Sequence, residues 1–212
     1  MNYLELINKC LVELNYKSVS DFTELVKNDH KKIKNIINVL NAEICGYDNW
    51  NFLLRSDEIT LPAETCEIKN TVNGRIKSLI IDDSVYDYYN DFEAFFTSTQ
   101  PANTYSIFND KILLPKFKEN KIIKIIYCTK NHAVNSSGVE ISEMSAADDS
   151  TLIPMPFAEP ILVYGSCMRL KGNPEHIRFN YWFSMYKDAL ANLRSKISVD
   201  ADETPSVKMH RR

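Results

Sequence analysis

The chain has 212 residues, 44% of them apolar and 25% charged, with a formal net charge of −3. A monomer of that length can build one substantial core or two small ones, burying roughly 70% of the surface its unfolded chain exposes. Its mild acidity argues against a dedicated nucleic-acid binder, which concentrates positive charge on one face.

Five cysteines (Cys10, Cys45, Cys66, Cys128 and Cys167) are odd in number, widely spaced and without a CxxC pair. They point to a reducing compartment rather than a disulfide framework. Only five glycines are present, which leaves few places for backbone to approach a phosphate or cofactor closely. The first residues lack the basic and apolar regions of a signal peptide, so none is expected. No run approaches the roughly eighteen apolar residues of a membrane span, and no membrane association is expected.

Leu4, Ile7, Leu11 and Leu14 recur at helical spacing and predict a first helix. Asp21 and Glu24 have capping-box spacing at the head of a short turn carrying Phe22, Leu25 and Val26. The next helix is the clearest in this part. Ile33, Ile36, Ile37, Leu40 and Ile44 form its apolar stripe, Asp29 would cap it, His30 reads as solvated, and Gly46 ends it. Trp50 and Phe52 then stand two apart, as on one side of an extended segment, and are expected to reach back onto the stripe as anchors with Ile37 and Leu40.

Strands are predicted over 53–60, 66–72 and 75–81, with Asn73-Gly74 as the strongest hairpin signal. The run 85–96 is either a helix or an aromatic-rich loop. It holds six aromatic residues among its acids, and Tyr86, Tyr88, Tyr89, Phe92, Phe95 and Phe96 are candidate interface residues, since one short element cannot turn all of them inward. A second hairpin is predicted around Asn109-Asp110-Lys111, then a strand over 121–127. Between 129 and 155 the Asn-, Ser- and Asp-rich composition reads as an exposed loop, in which 139–144 is a short strand or a segment that orders on binding.

Pro160 suits the first position of a further helix, and Gly172-Asn173-Pro174 breaks it. A long helix over 175–197 follows, with Trp182, Phe183 and Tyr186 read as core anchors. From Val199 onward the composition is that of a disordered tail. The expected fold is therefore α+β. Residues 1–52 and 157–198 form one helical bundle, 53–156 form an inserted antiparallel β-rich lobe, and 199–212 form the tail.

Chemistry-bearing residues are scattered. The four histidines have no ligand-spaced partners, and Cys128 with His132 supplies at most half of a zinc site. Asp82-Asp83 and Asp148-Asp149 are adjacent pairs that read as turn or solvated residues. Ser166 and Cys167 lack the GxSxG elbow and read as small packing residues. No catalytic residue, metal site or cofactor is assigned. Lys111, Lys116, Lys118, Lys121 and Lys124 are the one concentrated positive stretch. They are a candidate contact for DNA or an acidic partner, or else a solvated edge that discourages strand pairing.

Ile37-Asn38 on a helix, Trp50-x-Phe52-Leu53, a polar strand and Leu61-Pro62 resemble the opening of head–tail adaptor proteins of tailed bacteriophages, including gatekeeper-type tail tube adaptors. The order of elements over 4–197 follows the same plan, with 131–150 and 85–96 as departures. The resemblance implies a virion structural protein without enzymatic activity, assembled in the host cytoplasm. It implies a homo-oligomeric, commonly dodecameric ring beneath the portal protein, joined to a tail or nozzle protein. DNA would pass through its channel without sequence recognition. The helices around 33–46 and 175–197 would form the wall, the β lobe would face the tail, and the segment after Val199 would reach the portal. Another neck or tail-completion protein, or a small nucleic-acid-binding module using the lysine-bearing hairpin, are the alternatives.

Overall fold

The computed structural model describes residues 1–197. The tail expected from Val199 lies outside the described residues. In chain order the elements are α1 (Tyr3–Glu13), α2 (Asn28–Tyr47), β1 (Leu54–Leu61), β2 (Glu67–Lys69), β3 (Gly74–Ile81), β4 (Ser84–Tyr88), α3 (Glu93–Thr97), β5 (Thr104–Phe108), β6 (Lys111–Leu113), β7 (Lys121–Thr129), β8 (Ala133–Val134), β9 (Glu140–Ile141), β10 (Ser150–Thr151), α4 (Gly165–Lys171) and α5 (Phe179–Ile197). A π-helical stretch, Pro160–Tyr164, runs directly into α4. One-turn 3-10 helices stand at Phe22–Glu24 and Asn51–Leu53.

The chain divides into two units. A terminal unit holds Met1–Leu53 and the described residues from Asn131 onward, and a central unit holds Leu54–Lys130.

In the terminal unit α1, α2, α4 and α5 pack around one core. An Asn2–Glu5 capping box starts α1, whose buried face is Tyr3, Leu6, Ile7, Cys10 and Leu11. The expected stripe is thus rotated, with Leu4 only partly buried. Gly165 lets α4 approach its neighbours. A Cβ there would stand 2.6 Å from Leu40 Cδ2 and 3.0 Å from Tyr186 Cδ2.

Glu13 ties the first helix to the last. Arg178 donates to the Glu13 carbonyl and to its carboxylate Oε2, each at 2.7 Å, and Trp182 Nε1 donates to the same oxygen at 3.1 Å. The first bond also satisfies a carbonyl that the end of α1 leaves open.

Trp50 is fully buried, and its Nε1 donates to the Ile44 carbonyl in the last turns of α2 at 2.6 Å. Phe52 stacks on it at 5.8 Å. The local backbone is a 3-10 turn rather than the extended segment expected, so the pair meets through that turn and not through strand alternation. Of the C-terminal anchors, Trp182 is fully buried and Tyr186 is partly buried. Phe183 is 46% exposed, so its assignment to the core is corrected. It lies about 100° around the helix from Trp182, at the edge of the Trp182–Ala189–Leu193 face.

The segment read as an exposed loop within the β lobe belongs instead to the terminal unit. There β8 is the centre of a three-stranded sheet flanked by β10 and β9. Asn41, buried on α2, seats this sheet. Its Nδ2 donates to the His132 carbonyl at 2.9 Å, and its Oδ1 accepts from Thr151 Oγ1 at 2.6 Å. One turn earlier Asn38 Nδ2 donates to the Met144 carbonyl at 2.8 Å. Asp149 is buried rather than solvated, with Oδ2 accepting the Ser145 and Ala146 amides.

The central unit is a seven-stranded sheet in the order β1-β7-β3-β4-β5-β6-β2. It is large and nearly closed, and its two end strands are consecutive in sequence. Leu61, Leu79, Ile81, Tyr86, Tyr105, Ile112, Leu114, Ile123 and Ile125 form its core.

The sheet is not purely antiparallel. β4 and β5 pair in parallel, Asp87 opposite Thr104 and Tyr88 opposite Tyr105, and α3 lies on the crossover that a parallel pair requires. The expectation of a helical bundle carrying an antiparallel lobe is therefore corrected. The fold is mixed, with the large sheet dominant and a second small sheet inside the helical unit.

The hairpin expected at Asn73-Gly74 is absent, because β2 pairs with β6 and not with β3. Gly74 serves a different purpose. A Cβ there would stand 2.3 Å from the Cys128 carbonyl oxygen and 2.4 Å from Tyr127 Cδ2, so only glycine lets β3 meet β7 at that point. The tight β3–β4 turn is made by Asp82 and Asp83, at φ 48° and 61°. Asn109 and Asp110, at 48° and 58°, make the β5–β6 turn. Paired positive φ values are those of a type I′ hairpin, which Asn and Asp tolerate better than other side chains.

Two stability measurements follow. Trp50→Ala should lower unfolding free energy by about 3–5 kcal/mol through cavity formation. Asn41→Ala strands the Thr151 hydroxyl and the His132 carbonyl and should lower it by about 2–3 kcal/mol. Urea denaturation monitored by circular dichroism reads both.

Candidate interaction surface

The aromatic run of the central unit resolves into inward and outward groups. Tyr86 sits on β4 in the sheet core, and Phe95 on α3 is also buried. These two are therefore removed from the candidate interface. The backbone explains the division, since the run is strand, turn and then one and a half turns of helix, and each part buries one face.

Asp91 organises the start of α3, its Oδ1 accepting the Glu93 and Ala94 amides at 3.1 and 3.4 Å. That cap holds Phe92 and Phe96 beside the β5–β6 hairpin. Phe92 stacks on Phe108 at 4.5 Å with 14° between the planes, and Phe96 meets Phe108 edge-on at 6.3 Å.

Phe96 is 56% exposed, and Ile107, Phe108, Tyr88 and Val85 are exposed as well. Tyr88 packs edge-on against Tyr105, and Tyr89 lies 6.5 Å from Phe95. Exposed Asp87, Asp91 and Glu93 punctuate this apolar surface. Burial pushes the Tyr105 phenol above its usual range, with neighbouring Tyr88 and Asp87 adding to the shift. The phenol therefore stays neutral at the edge of the patch. Ile107 and Phe108 were read from the sequence only as part of a strand flanking the second hairpin, with no surface role assigned to them. A four-residue alternation cannot tell which face of a two-residue hairpin meets solvent.

A second exposed apolar surface belongs to the terminal unit. Ile177 is 94% exposed, and Tyr181, Phe183 and Met185 are exposed along the first turns of α5. Phe179 stacks on Phe183 at 6.4 Å, and Tyr181 meets Tyr164 edge-on at 5.6 Å. The α5 sequence is aromatic all round its first two turns, while Trp182 alone among those aromatics is fully buried.

The lysine stretch is dispersed by the topology. Lys111 is on β6 and Lys121 and Lys124 are on β7, and in the sheet order β3, β4 and β5 lie between those strands. Lys111 pairs with Glu67, and Lys121 with Asp82 at 2.7 Å. Lys116, Lys118 and Lys124 are exposed. Two of the five charges are thus answered locally.

Among the described residues no group of three or more His, Cys, Asp or Glu side chains is placed to hold a metal ion. No helix of the described residues is long and apolar enough to cross a membrane. A scan against known protein families returns no matching model, and no curated protein matches the chain significantly.

Adjacent phenylalanines test the division into inward and outward groups. Phe96→Ser should change unfolding free energy by about 1 kcal/mol or less. Phe95→Ala should lower it by about 3–5 kcal/mol. A reversed order in chemical denaturation would reassign the face of α3.

Proposed function

We propose that this chain is a structural assembly subunit, a head–tail adaptor that forms a ring below a phage portal and joins it to the tail while DNA passes through. The observation that carries the reading is the presence of two chemically distinct exposed aromatic surfaces, one on each unit. The acid-studded Phe92–Phe96–Phe108 group lies on the central unit, and the Ile177–Tyr181–Phe183 group lies on the terminal unit.

A closed ring requires heterologous contacts, in which one patch of each subunit meets a different patch of the next. Large aromatic side chains are what such contacts use at their centres. Apolar surface left in water is a marker of association, and here both groups lie outside their unit's core. The Trp50 anchor, the α2 stripe and the Leu61-Pro62 strand end support the adaptor assignment by resemblance. The net charge of −3 suits a conduit that releases DNA rather than gripping it. The local pairing of Lys111 and Lys121 supports the same preference over a DNA-binding module.

The partners on this reading are further copies of the chain, the portal protein and a tail or nozzle protein. The virion is its place of action. Electron microscopy of the purified chain mixed with its portal tests the proposal. Rings of the portal's symmetry are expected, and Phe96→Asp or Phe183→Asp should abolish them while each variant stays folded. A chain that remains monomeric beside the portal overturns the adaptor reading. So does tight DNA binding that falls steeply between roughly 50 and 200 mM salt.

A further inference from the structure

On the terminal unit, α5 and the segment leading into the π-helical stretch enclose a groove of about 420 Å³. Phe157 and Pro160 form one wall, and Met185 and Ala189 form the other. Met185 is 36% exposed, so the groove leaves apolar surface in water.

The polar residues of the groove lie in order along α5. Asp188, Asn192 and Lys196 stand at four-residue steps and therefore share one helix face. Asp188 and Lys196 are exposed, and among the described residues neither enters an ion pair. The Asp188 carboxylate accepts a long bond of 3.4 Å from Ser184 Oγ.

The place where the chain leaves α5 points to the occupant. Lys196 lines the groove, and Ile197 next to it still packs against the core. Residues 198–212 therefore set out from the groove's end. They carry Asp200, Asp202 and Glu203 first, then Pro205, then Val207 and Met209 among Lys208, His210, Arg211 and Arg212. A segment turning back along α5 brings its acids to Lys196 and its bases to Asp188. The lengths agree as well. Met185 to Lys196 spans about 16 Å of helix, and residues 206–212 cover about 23 Å when extended. Val207 and Met209 stand two apart, on one side of such a segment.

We infer that the groove docks this chain's own residues 205–212, folded back along α5. Val207 and Met209 lie against Phe157, Met185 and Ala189, and the basic cluster lies beside Asp188. Apolar burial supplies the holding energy, while the exposed charge pairs, individually weak, set the direction. The tether keeps the segment at an effective concentration in the millimolar range, so a weak contact suffices. Docking shields Met185, at one edge of the exposed α5 surface. It needs no neighbouring copy, so the inference stands apart from the ring reading.

The test uses the full-length chain without a portal, its Met, Ala and Val methyl groups ¹³C-labelled. Nuclear Overhauser contacts are expected from the Val207 and Met209 methyls to those of Met185 and Ala189. A chain ending at Ile197 should shift the Met185 and Ala189 resonances, while buried Ala133 on β8 stays in place and reports an intact core. Asp188→Lys should lower the docking equilibrium by about fivefold, moving the same resonances toward their truncated positions. Dilution by about tenfold should change nothing, because the contact is intramolecular. Absence of the Overhauser contacts, or Met185 and Ala189 resonances unmoved by truncation, overturns the inference. So do contacts seen only between differently labelled chains, which give the groove to a second copy, and an Asp188→Lys chain that docks unchanged.

Discussion

The buried Asn41 amide is the interaction on which the terminal unit depends. A primary amide inside an apolar helix stripe is unfavourable unless its donor and acceptor are both matched. Here one atom receives the Thr151 hydroxyl and the other bonds the His132 carbonyl. His132 immediately precedes β8 and Thr151 ends β10, so one side chain ties down both ends of the small sheet's segment. Tyr3 and Leu4 add backbone bonds to Asp149 and Ala147 from the first turn of α1. A stretch with little regular structure is thereby held between the first two helices.

This explains which parts of the fold were legible in the sequence. The α2 stripe, the Trp182 and Leu193 positions of α5 and the Gly172 stop rest on local periodicity and backbone preference, and they read correctly, whereas Phe183 did not. The 131–156 segment did not, because its order comes from Asn38 and Asn41 about a hundred residues away. Polar composition looks the same whether the partners are water or a buried amide. Asn73-Gly74 failed for a related reason. The dipeptide matches a hairpin, yet the glycine is demanded by the approach of β7 and not by a turn. The Asp82-Asp83 pair, read as turn or solvated residues, makes the tight β3–β4 turn instead.

The candidate surface was half legible. Composition revealed an excess of aromatics over 85–96 but not the parallel β4–β5 pair that makes the run a crossover. Once that crossover is known, Tyr86 and Phe95 fall inward and Phe92 and Phe96 turn toward the β5–β6 hairpin. The same division leaves Phe96 and Phe108 exposed beside one another, whereas a crossover that buried every ring would leave no apolar face there. The lysines show the converse. A cluster in the linear chain became separate strands of one sheet, two of its members already neutralised by nearby acids.

The first and last major strands of the central unit run side by side, with Leu54 directly opposite Cys128 and Arg55 opposite Tyr127. Opposed Cα atoms in such a ladder are only about 5 Å apart. The polypeptide therefore departs and comes back at nearly the same point. The central unit behaves as a cassette, since a linker of a few residues spans its mouth. Cutting out Leu54–Lys130 would therefore leave two chain ends close enough to rejoin through a short linker.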